Sequence, residues 1–292
     1  LGGLSYSLTL HAFDIFRDNV DRRLLARKIN ASRFTVTVSE YNKRFLTSLP
    51  DVNPEKVRVN YNGIDLDRFH SNGVERAPTT VFGVGRLIEK KGFIHLVHAI
   101  ERLHDAGMDV RCRIAGDGPE KSRLKAEIKR AGLKSLVELA GPLEQNVVRE
   151  EMQRAGCFVL PCVEAKDGNV DALPTVLLEA LGCSCPSIST RISGVPEIIE
   201  DGVSGLLVEP EDEAGLAEAI QRIVEDASFA QRLSAGSRER AADRFDVRKN
   251  VAIMHEWLLN AAASRRDRSS KKNEEVQVSA DRAFGSVAAK VP

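Results

Sequence analysis

Apolar positions along this chain fall into two textures: short unbroken runs, and longer stretches in which they recur every three or four residues. An unbroken run bounded by turn residues reads as a strand covered on both faces, and the wider spacing as an amphipathic helix. On that basis SLTLHA (7–12), FTVTVS (34–39) and VRVNYN (57–62) are expected strands. Helices are expected over 19–29 and 40–49, the second opened by Ser39 as N-cap. The polar, turn-rich segment 72–78 (NGVERAP) reads as a linker. A second series follows, with strands expected at 81–85, 110–116, 137–141, 157–162, 187–190 and 205–208. Helices over 93–106, 119–131, 146–155, 174–181 and 195–200 separate them, and helices over 213–225 and 229–244 close the series. One more helix, 245–263, would carry Val251, Met254, Trp257 and Leu258 on one face. Strands separated by helices of this length imply parallel sheets, so the class is α/β and the second series a doubly wound domain.

The implied division is 1–75, 76–244, the helix 245–263, and a polar segment 264–292 without sustained period, expected to be disordered. The first residue is Leu rather than Met and the chain runs at once into a strand-like segment, which suggests a start inside a longer, N-terminally truncated protein. No basic leader or cleavage site marks LGGLSYSLTLHAF as a secretory signal.

Composition narrows the partners. Lys plus Arg and Asp plus Glu number 42 each, giving zero formal charge. A chain whose main partner is nucleic acid or anionic membrane needs a basic excess, so neither is expected. No run approaches the ~20 apolar residues of a membrane-spanning helix. The five cysteines (Cys112, Cys157, Cys162, Cys183, Cys185) lack metal-finger spacing and read as reduced thiols of a cytoplasmic protein. His95, His98 and His104 share a helix, but no neighbouring carboxylate or cysteine pattern completes a metal site.

Four strand-to-helix loops carry the chemistry. In such sheets ligands bind beyond the carboxyl ends of the strands, where backbone amides and helix N-termini face outward. The first is GVGRLIEKKG (83–92). Its third glycine position holds Ile88, so the dinucleotide fingerprint fails. What remains is Arg86 and Lys91 between glycines, suited to a diphosphate or, equally, two solvated cations. The second loop is Gly116-Asp117-Gly118-Pro119, which alone would be a turn. The third is DALPTVLLEA (171–180): Pro174 suits a first helical turn, Asp171 precedes the helix and Glu179 lies within it. That carboxylate pair suits a polyol, or is a helix-start charge plus one exposed glutamate. The fourth, SGVPE (193–197), could offer amides to an anion.

GVGRLIEKKG, IAGDGP, DALPTVLLEALG, SGVPEII and DGVSGLLVEP together resemble the retaining glycosyltransferases of family 4, over about 81–210. VSEYNKRFL, YNGIDLDRF and LHAFDIF resemble that family's N-terminal domain, and bacterial exopolysaccharide enzymes of the colanic-acid type are the nearest likeness. The resemblance implies a GT-B fold: a complete C-terminal Rossmann-like donor domain at 76–244, the last part of an N-terminal acceptor domain at 1–75, and a crossover helix at 245–263. It further implies that Arg86 and Lys91 neutralise the diphosphate of a nucleotide-sugar donor and that Glu179 holds the ribose. Asp171, where the family usually has Glu, and His11 would contact the donor sugar. Gly85, Gly116, Asp117, Gly118 and the segment Val137–Leu143 would flank the nucleotide, and the backbone near Leu173–Thr175, at the helix start that Pro174 opens, would add NH groups to the phosphates. No metal cofactor is implied. The acceptor would be a saccharide or lipid-linked saccharide, with peripheral contact to the inner face of a membrane through absent N-terminal residues. Two other readings stand: a GT-B nucleotide-sugar epimerase, disfavoured by Arg86/Lys91 with Asp171/Glu179, and an inactive nucleotide-binding fragment. After Glu179 the family's Gly-x-Pro reads Ser184-Cys185-Pro186, a strained substitution wherever that backbone needs positive φ.

Overall fold

The computed structural model describes residues 5–17 and 19–263. The segment 264–292, expected to be disordered, lies outside the described residues. Residues through Asn250 group as one compact unit and those from Val251 as another.

The first unit opens with β1 (Leu8–Leu10), α1 (Ala12–Ile15), α2 (Arg22–Ala31), β2 (Thr35–Thr37), α3 (Glu40–Ser48) and β3 (Val57–Val59). The strands pair in parallel in the order β1-β2-β3, with Leu8 opposite Thr35 and Thr35 opposite Val57. β1 is shorter than its apolar run because His11 becomes the N-cap of α1, its amide donating to the Asp14 carboxylate at 2.9 Å. α2 begins at Arg22 rather than 19 because the Asp21 carboxylate accepts from the Arg23 and Leu24 amides at 2.9 and 3.0 Å. Ser39 caps α3 as expected, accepting from the Asn42 amide at 3.1 Å. Leu10, Ile15, Leu25, Ile29, Leu46 and Val57 form the core here.

The second series is β4 (Ala77–Val84), α4 (Phe93–Asp105), β5 (Arg111–Ala115), α5 (Lys121–Arg130), β6 (Val137–Gly141), α6 (Gln145–Arg154) and β7 (Ala155–Leu160), continuing through α7 (Thr175–Gly182), β8 (Ser187–Thr190), α8 (Val195–Ile198), β9 (Leu206–Val208), α9 (Glu213–Glu225) and α10 (Ala227–Arg244). Its six strands are parallel in the order β6-β5-β4-β7-β8-β9. The chain thus winds outward from β4 to one edge, returns, and winds outward from β7 to the other. The crevice between the carboxyl ends of β4 and β7 is the topological switch point. Unbroken apolar strands follow from this architecture: Phe82 and Phe158, on adjacent central strands, are fully buried with ring centroids 6.2 Å apart.

The expected linker ends earlier than its composition suggests, since β4 already begins at Ala77. Arg76 is anchored. Its guanidinium donates to the Met152 and Ala155 carbonyls at 2.8 and 3.0 Å and to the Cys183 and Ser184 carbonyls at 2.8 and 2.9 Å. These are carbonyls left over at the C-terminal ends of α6 and α7, where a cation also meets the helix dipole favourably.

The C-terminal end of α7 shows the backbone that Ser184 occupies. Its amide donates to Leu181 and that of Cys185 to Ala180, a Schellman closure, and Ser184 sits at φ 55°. A position that favours glycine therefore holds serine in the left-handed region.

Several contacts tie the two sheets of the first unit. Ile64 and Phe245–Val247 exchange backbone hydrogen bonds of 2.8 and 3.0 Å, with buried Phe245 edge-on to Tyr61 at 5.5 Å. The Asn250 amide group donates to Tyr61 at 2.9 Å, and that of Asn60 to Asn250 at 3.0 Å. Most directly, the Glu197 carboxylate on α8 accepts from the Glu40 and Tyr41 amides, both at 2.7 Å, and from the Tyr61 hydroxyl at 3.0 Å. It thereby caps α3 from the far side of the sequence.

A final helix, α11, covers 247–263. From Val251 onward Met254, Trp257 and Ala261 are half-buried while Val251 and Leu258 are exposed. All five cysteines are buried and unpaired. Burial pushes the Cys162 thiol up to about 12, as suits a packing residue rather than a nucleophile. Among the described residues no helix is long and apolar enough to cross a membrane.

Candidate functional site

Because the six strands are parallel, the loops after β4, β5, β6, β7 and β8 emerge at one rim, and backbone contacts lock them together there. The Gly85 amide donates to Ala115 at 3.1 Å, the Leu87 amide to Asp117 at 2.9 Å, and the Gly116 amide to Gly141 at 2.8 Å. Gly116 is required: it has φ +133°, and a Cβ there would lie 1.9 Å from the Gly85 carbonyl oxygen. Gly92 ends the lysine loop at φ +66°, with the Pro161 carbonyl oxygen 1.8 Å from where a Cβ would stand. Glycine is thus spent where the β4 loop is pressed against the loops of its two neighbours.

Charge is concentrated beside the switch point. A single helical turn at Glu89–Lys91 sets two lysines side by side. Lys90 Nζ lies 2.9 Å from Asp171 Oδ1, and Lys91 Nζ 2.6 Å from Asp171 Oδ2. Lys90 also donates to Asn169 Oδ1 at 3.1 Å. Burial alone would raise the Asp171 carboxyl pKa, but Lys91 and then Lys90 outweigh it and hold the group below its ordinary value. Arg86, directly after β4, is exposed and makes no ion pair among the described residues. Two lysines thus pair with one carboxylate, and Arg86 stands on the same loop. Lys90 and Asn169 escaped the sequence reading, although the Lys-Lys doublet carried the signal for the first.

Asp171 lies just before α7, which begins at Thr175 with Pro174 at its N-cap position. Leu173 and Pro174 are buried and Thr175 is exposed, so the Thr175 and Val176 amides begin the helix beside the lysine–aspartate cluster. Such a helix start attracts anions. Glu179 sits one turn further in. Burial raises its pKa, opposed by a 3.4 Å contact from the Gln145 amide group and by the charge of Arg68. Neither of those partners was foreseen.

The remaining expected residues divide. Asp117 is exposed and bonded to the Gly118 amide at 2.8 Å and to Lys121 at 3.2 Å, at the mouth of the rim. Leu143 follows β6 at the same rim. Val137 does not belong there. It is the first residue of β6, paired with Cys112 and 5% exposed, so it lies in the core at the opposite end of the strand. From its first residue to its fifth β6 rises roughly 13 Å, which sets Val137 well away from the rim. The SGVPE loop has two of its amides engaged within itself. The Val195 and Glu197 amides are already bonded to Ile192 and Gly194, and the Glu197 carboxylate reaches to α3. Ser193 instead buttresses the site, its hydroxyl donating to the Asp171 carbonyl at 2.7 Å. His11 stands exposed at the carboxyl end of β1, in the small sheet.

The histidines acquire a partner from far along the chain: Glu213, at the start of α9, approaches both His95 and His98. No spacing within the helix could have shown it.

Residues 67–240 match the family described as glycosyl transferases group 1. A colanic acid biosynthesis glycosyltransferase, WcaL of Salmonella typhimurium, is 33% identical over 196 residues, covering 66% of this chain and 48% of that protein. The amylovoran biosynthesis glycosyltransferase AmsK of Erwinia amylovora is 32% identical over 171 residues, covering 58% of this chain and 42% of that protein. The chain thus spans about half the length of the curated relatives it matches. Among solved structures, Anabaena HepE in complex with UDP superposes with a TM-score of 0.76 at 20% identity, covering 88% of this chain and 72% of that one. Sucrose-phosphate synthase of Thermosynechococcus elongatus superposes with a TM-score of 0.75 at 20% identity, over 90% and 69%. The fold is that of the GT-B glycosyltransferases. With its match running from β4's approach through α10, the chain belongs to the glycosyl transferases group 1 family.

Proposed function

We propose that this chain carries the donor-binding part of a retaining glycosyltransferase that moves a sugar from a nucleotide-sugar to a saccharide or lipid-linked acceptor in bacterial polysaccharide synthesis. The observation that carries this reading is the pairing of Lys90 and Lys91 with Asp171 at the switch point, with exposed Arg86 on the same loop as the lysines. That is a seat for a diphosphate with a carboxylate at its edge. The family membership and the named activities of WcaL and AmsK support the same reaction class. HepE has been solved with UDP and glucose and with UDP-glucose, so a uridine nucleotide is the first donor to test.

In this reading Arg86 and Lys91 take up negative charge as the bond from the anomeric carbon to the diphosphate breaks, which lowers the barrier most in a water-poor crevice. The acceptor oxygen bonds to that carbon from the face the diphosphate leaves, and its proton passes to the departing phosphate oxygen. Asp171 accepts hydrogen bonds from sugar hydroxyls once the lysines turn towards phosphate, and Glu179 accepts from ribose. Fixed cations supply the charge that a catalytic metal would, and a nucleotide-sugar user of this kind works in the cytoplasm.

The test is product analysis by NMR after incubation with UDP-sugars and saccharide acceptors, using this chain and the longer protein if its reading frame extends upstream. Retained anomeric configuration is expected. An inverted product, or epimerised free sugar without transfer, overturns the proposal.

A further inference from the structure

Away from the donor rim, three helices converge on His98. His95 and His98, one turn apart on α4, both direct Nδ1 at the same Glu213 Oε1 atom of α9, at 3.2 and 2.5 Å. The other ring nitrogen of His98, Nε2, lies 2.8 Å from Glu127 Oε1 on α5. Glu127 is held in turn by Arg130 at 2.6 Å, and Arg130 by Glu101 at 2.6 Å. The candidate ligand atoms of His95, His98 and Glu213 all lie within 4.8 Å of one another, and all three residues are half-buried.

The arrangement poses a question of charge. If His98 donates its Nε2 hydrogen to Glu127, its Nδ1 lone pair faces a carboxylate oxygen at 2.5 Å, with the His95 ring nitrogen directed at the same oxygen. Acceptors converging in this way require a positive centre among them. One solution is a second proton on the imidazole, and burial is outweighed by Glu213 and Glu127 in raising the His98 pKa. The other is a metal ion. Glu213, Glu127 and Glu101 against Arg130 leave the pocket wall negative, which suits either.

We propose that His95 Nδ1, His98 Nδ1 and Glu213 bind a divalent transition-metal ion of the Zn²⁺ class as a structural clasp joining α4 to α9. Two imidazoles and one carboxylate are a donor set for zinc and its neighbours rather than for magnesium or calcium, which take oxygen. Tetrahedral coordination at about 2.0–2.1 Å spaces donors about 3.3 Å apart. The His95–Glu213 spacing of 3.2 Å already meets that, and the His98–Glu213 pair opens by under an ångström. Glu127 is the outer carboxylate that metal-bound histidines commonly hold through their second nitrogen, and it fixes the ring so that Nδ1 faces the ion. Half-exposure leaves room for water in a remaining position. His95 follows Lys91 by four residues, so the clasp fixes the root of the lysine loop without touching the donor. The inference stands on α4, α5 and α9 alone, and it neither needs nor supports a glycosyl-transfer step.

The test is calorimetric titration of EDTA-treated, desalted protein with zinc sulfate, with cobalt(II) absorption as a second readout of coordination. One saturable site is expected, with a rise in thermal midpoint on zinc addition. His95→Gln, His98→Ala and Glu213→Gln should each abolish it or weaken it at least tenfold, and Glu127→Gln should weaken it about 10–100-fold. His104→Ala and His255→Ala should bind as wild type. Circular dichroism in EDTA establishes which variants fold, and the milder His95→Gln serves if His98→Ala does not. Absence of saturable zinc binding in the wild type, equal binding by folded His95→Gln or Glu213→Gln, or magnesium binding as tight as zinc would each overturn the proposal.

Discussion

Glu197 joins the two sheets of the first unit through a single carboxylate, and its removal should register as a loss of stability. In Glu197→Ala the Glu40 and Tyr41 amides lose the group that caps α3, and Tyr61 loses an ionic hydrogen-bond partner at 3.0 Å. Loss of an N-cap acceptor costs about 0.5–2 kcal/mol. Loss of a hydrogen bond to a charged partner costs about 1.5–3 kcal/mol. Since the site is half-buried and water can reach it, the sum is about 3 kcal/mol, which at about 2–4 °C per kcal/mol lowers the thermal midpoint by roughly 6–12 °C. Calorimetry measures this directly. Tyr61 gives an independent readout, because its pKa is pushed up to about 12 by burial first and by the Glu197 charge second. In Glu197→Gln the burial remains and the charge goes, so ultraviolet titration should show this tyrosine ionising at lower pH. A midpoint loss below 2 °C in the alanine variant, with an unchanged tyrosine titration in the glutamine variant, would refute the latch.

Two further outcomes follow from the same structure. Ser184→Gly relieves a left-handed residue in the Schellman closure of α7 and should raise stability by about 0.5–1 kcal/mol in urea denaturation; a less stable variant would contradict the strain at φ 55°. Asp171 has its folded pKa depressed below the ordinary 3.8, so its ion pairs stabilise above that pH and are lost as pH falls through the folded value. The stability difference between wild type and Asp171→Asn should therefore be full near pH 6 and shrink below about pH 4; a difference flat across that range would refute the assignment.

Strands and rim loops were legible in the sequence for a physical reason: strands covered on both faces must be apolar throughout, and loops pressed together at a rim must use glycine. Phe82 and Phe158 show the first, Gly116 and Gly92 the second. What escaped was pairing across long separations. The Lys90–Asp171 contact, the Glu197 cap on α3 and the Glu213 approach to His98 join residues 80 or more positions apart, and local periodicity contains no trace of them. Val137 was misplaced for a related reason. A strand segment can be assigned correctly while its two ends serve opposite faces of the domain, one the core and one the ligand rim. The linker was read from polarity and turn residues, and Arg76 shows how a charged residue in such a segment can be anchored by four carbonyls.

Donor binding at the switch point is tested most directly by calorimetric titration of the protein with UDP in the presence of EDTA, beside Arg86→Ala, Lys91→Ala and Glu179→Ala. Saturable binding is expected without metal. Loss of one hydrogen bond to a charged group, about 1.5–3 kcal/mol, should weaken it about 10–150-fold in each variant. Wild-type protein that fails to bind any nucleoside diphosphate, or Arg86→Ala and Glu179→Ala variants that bind as tightly as wild type, would contradict the site.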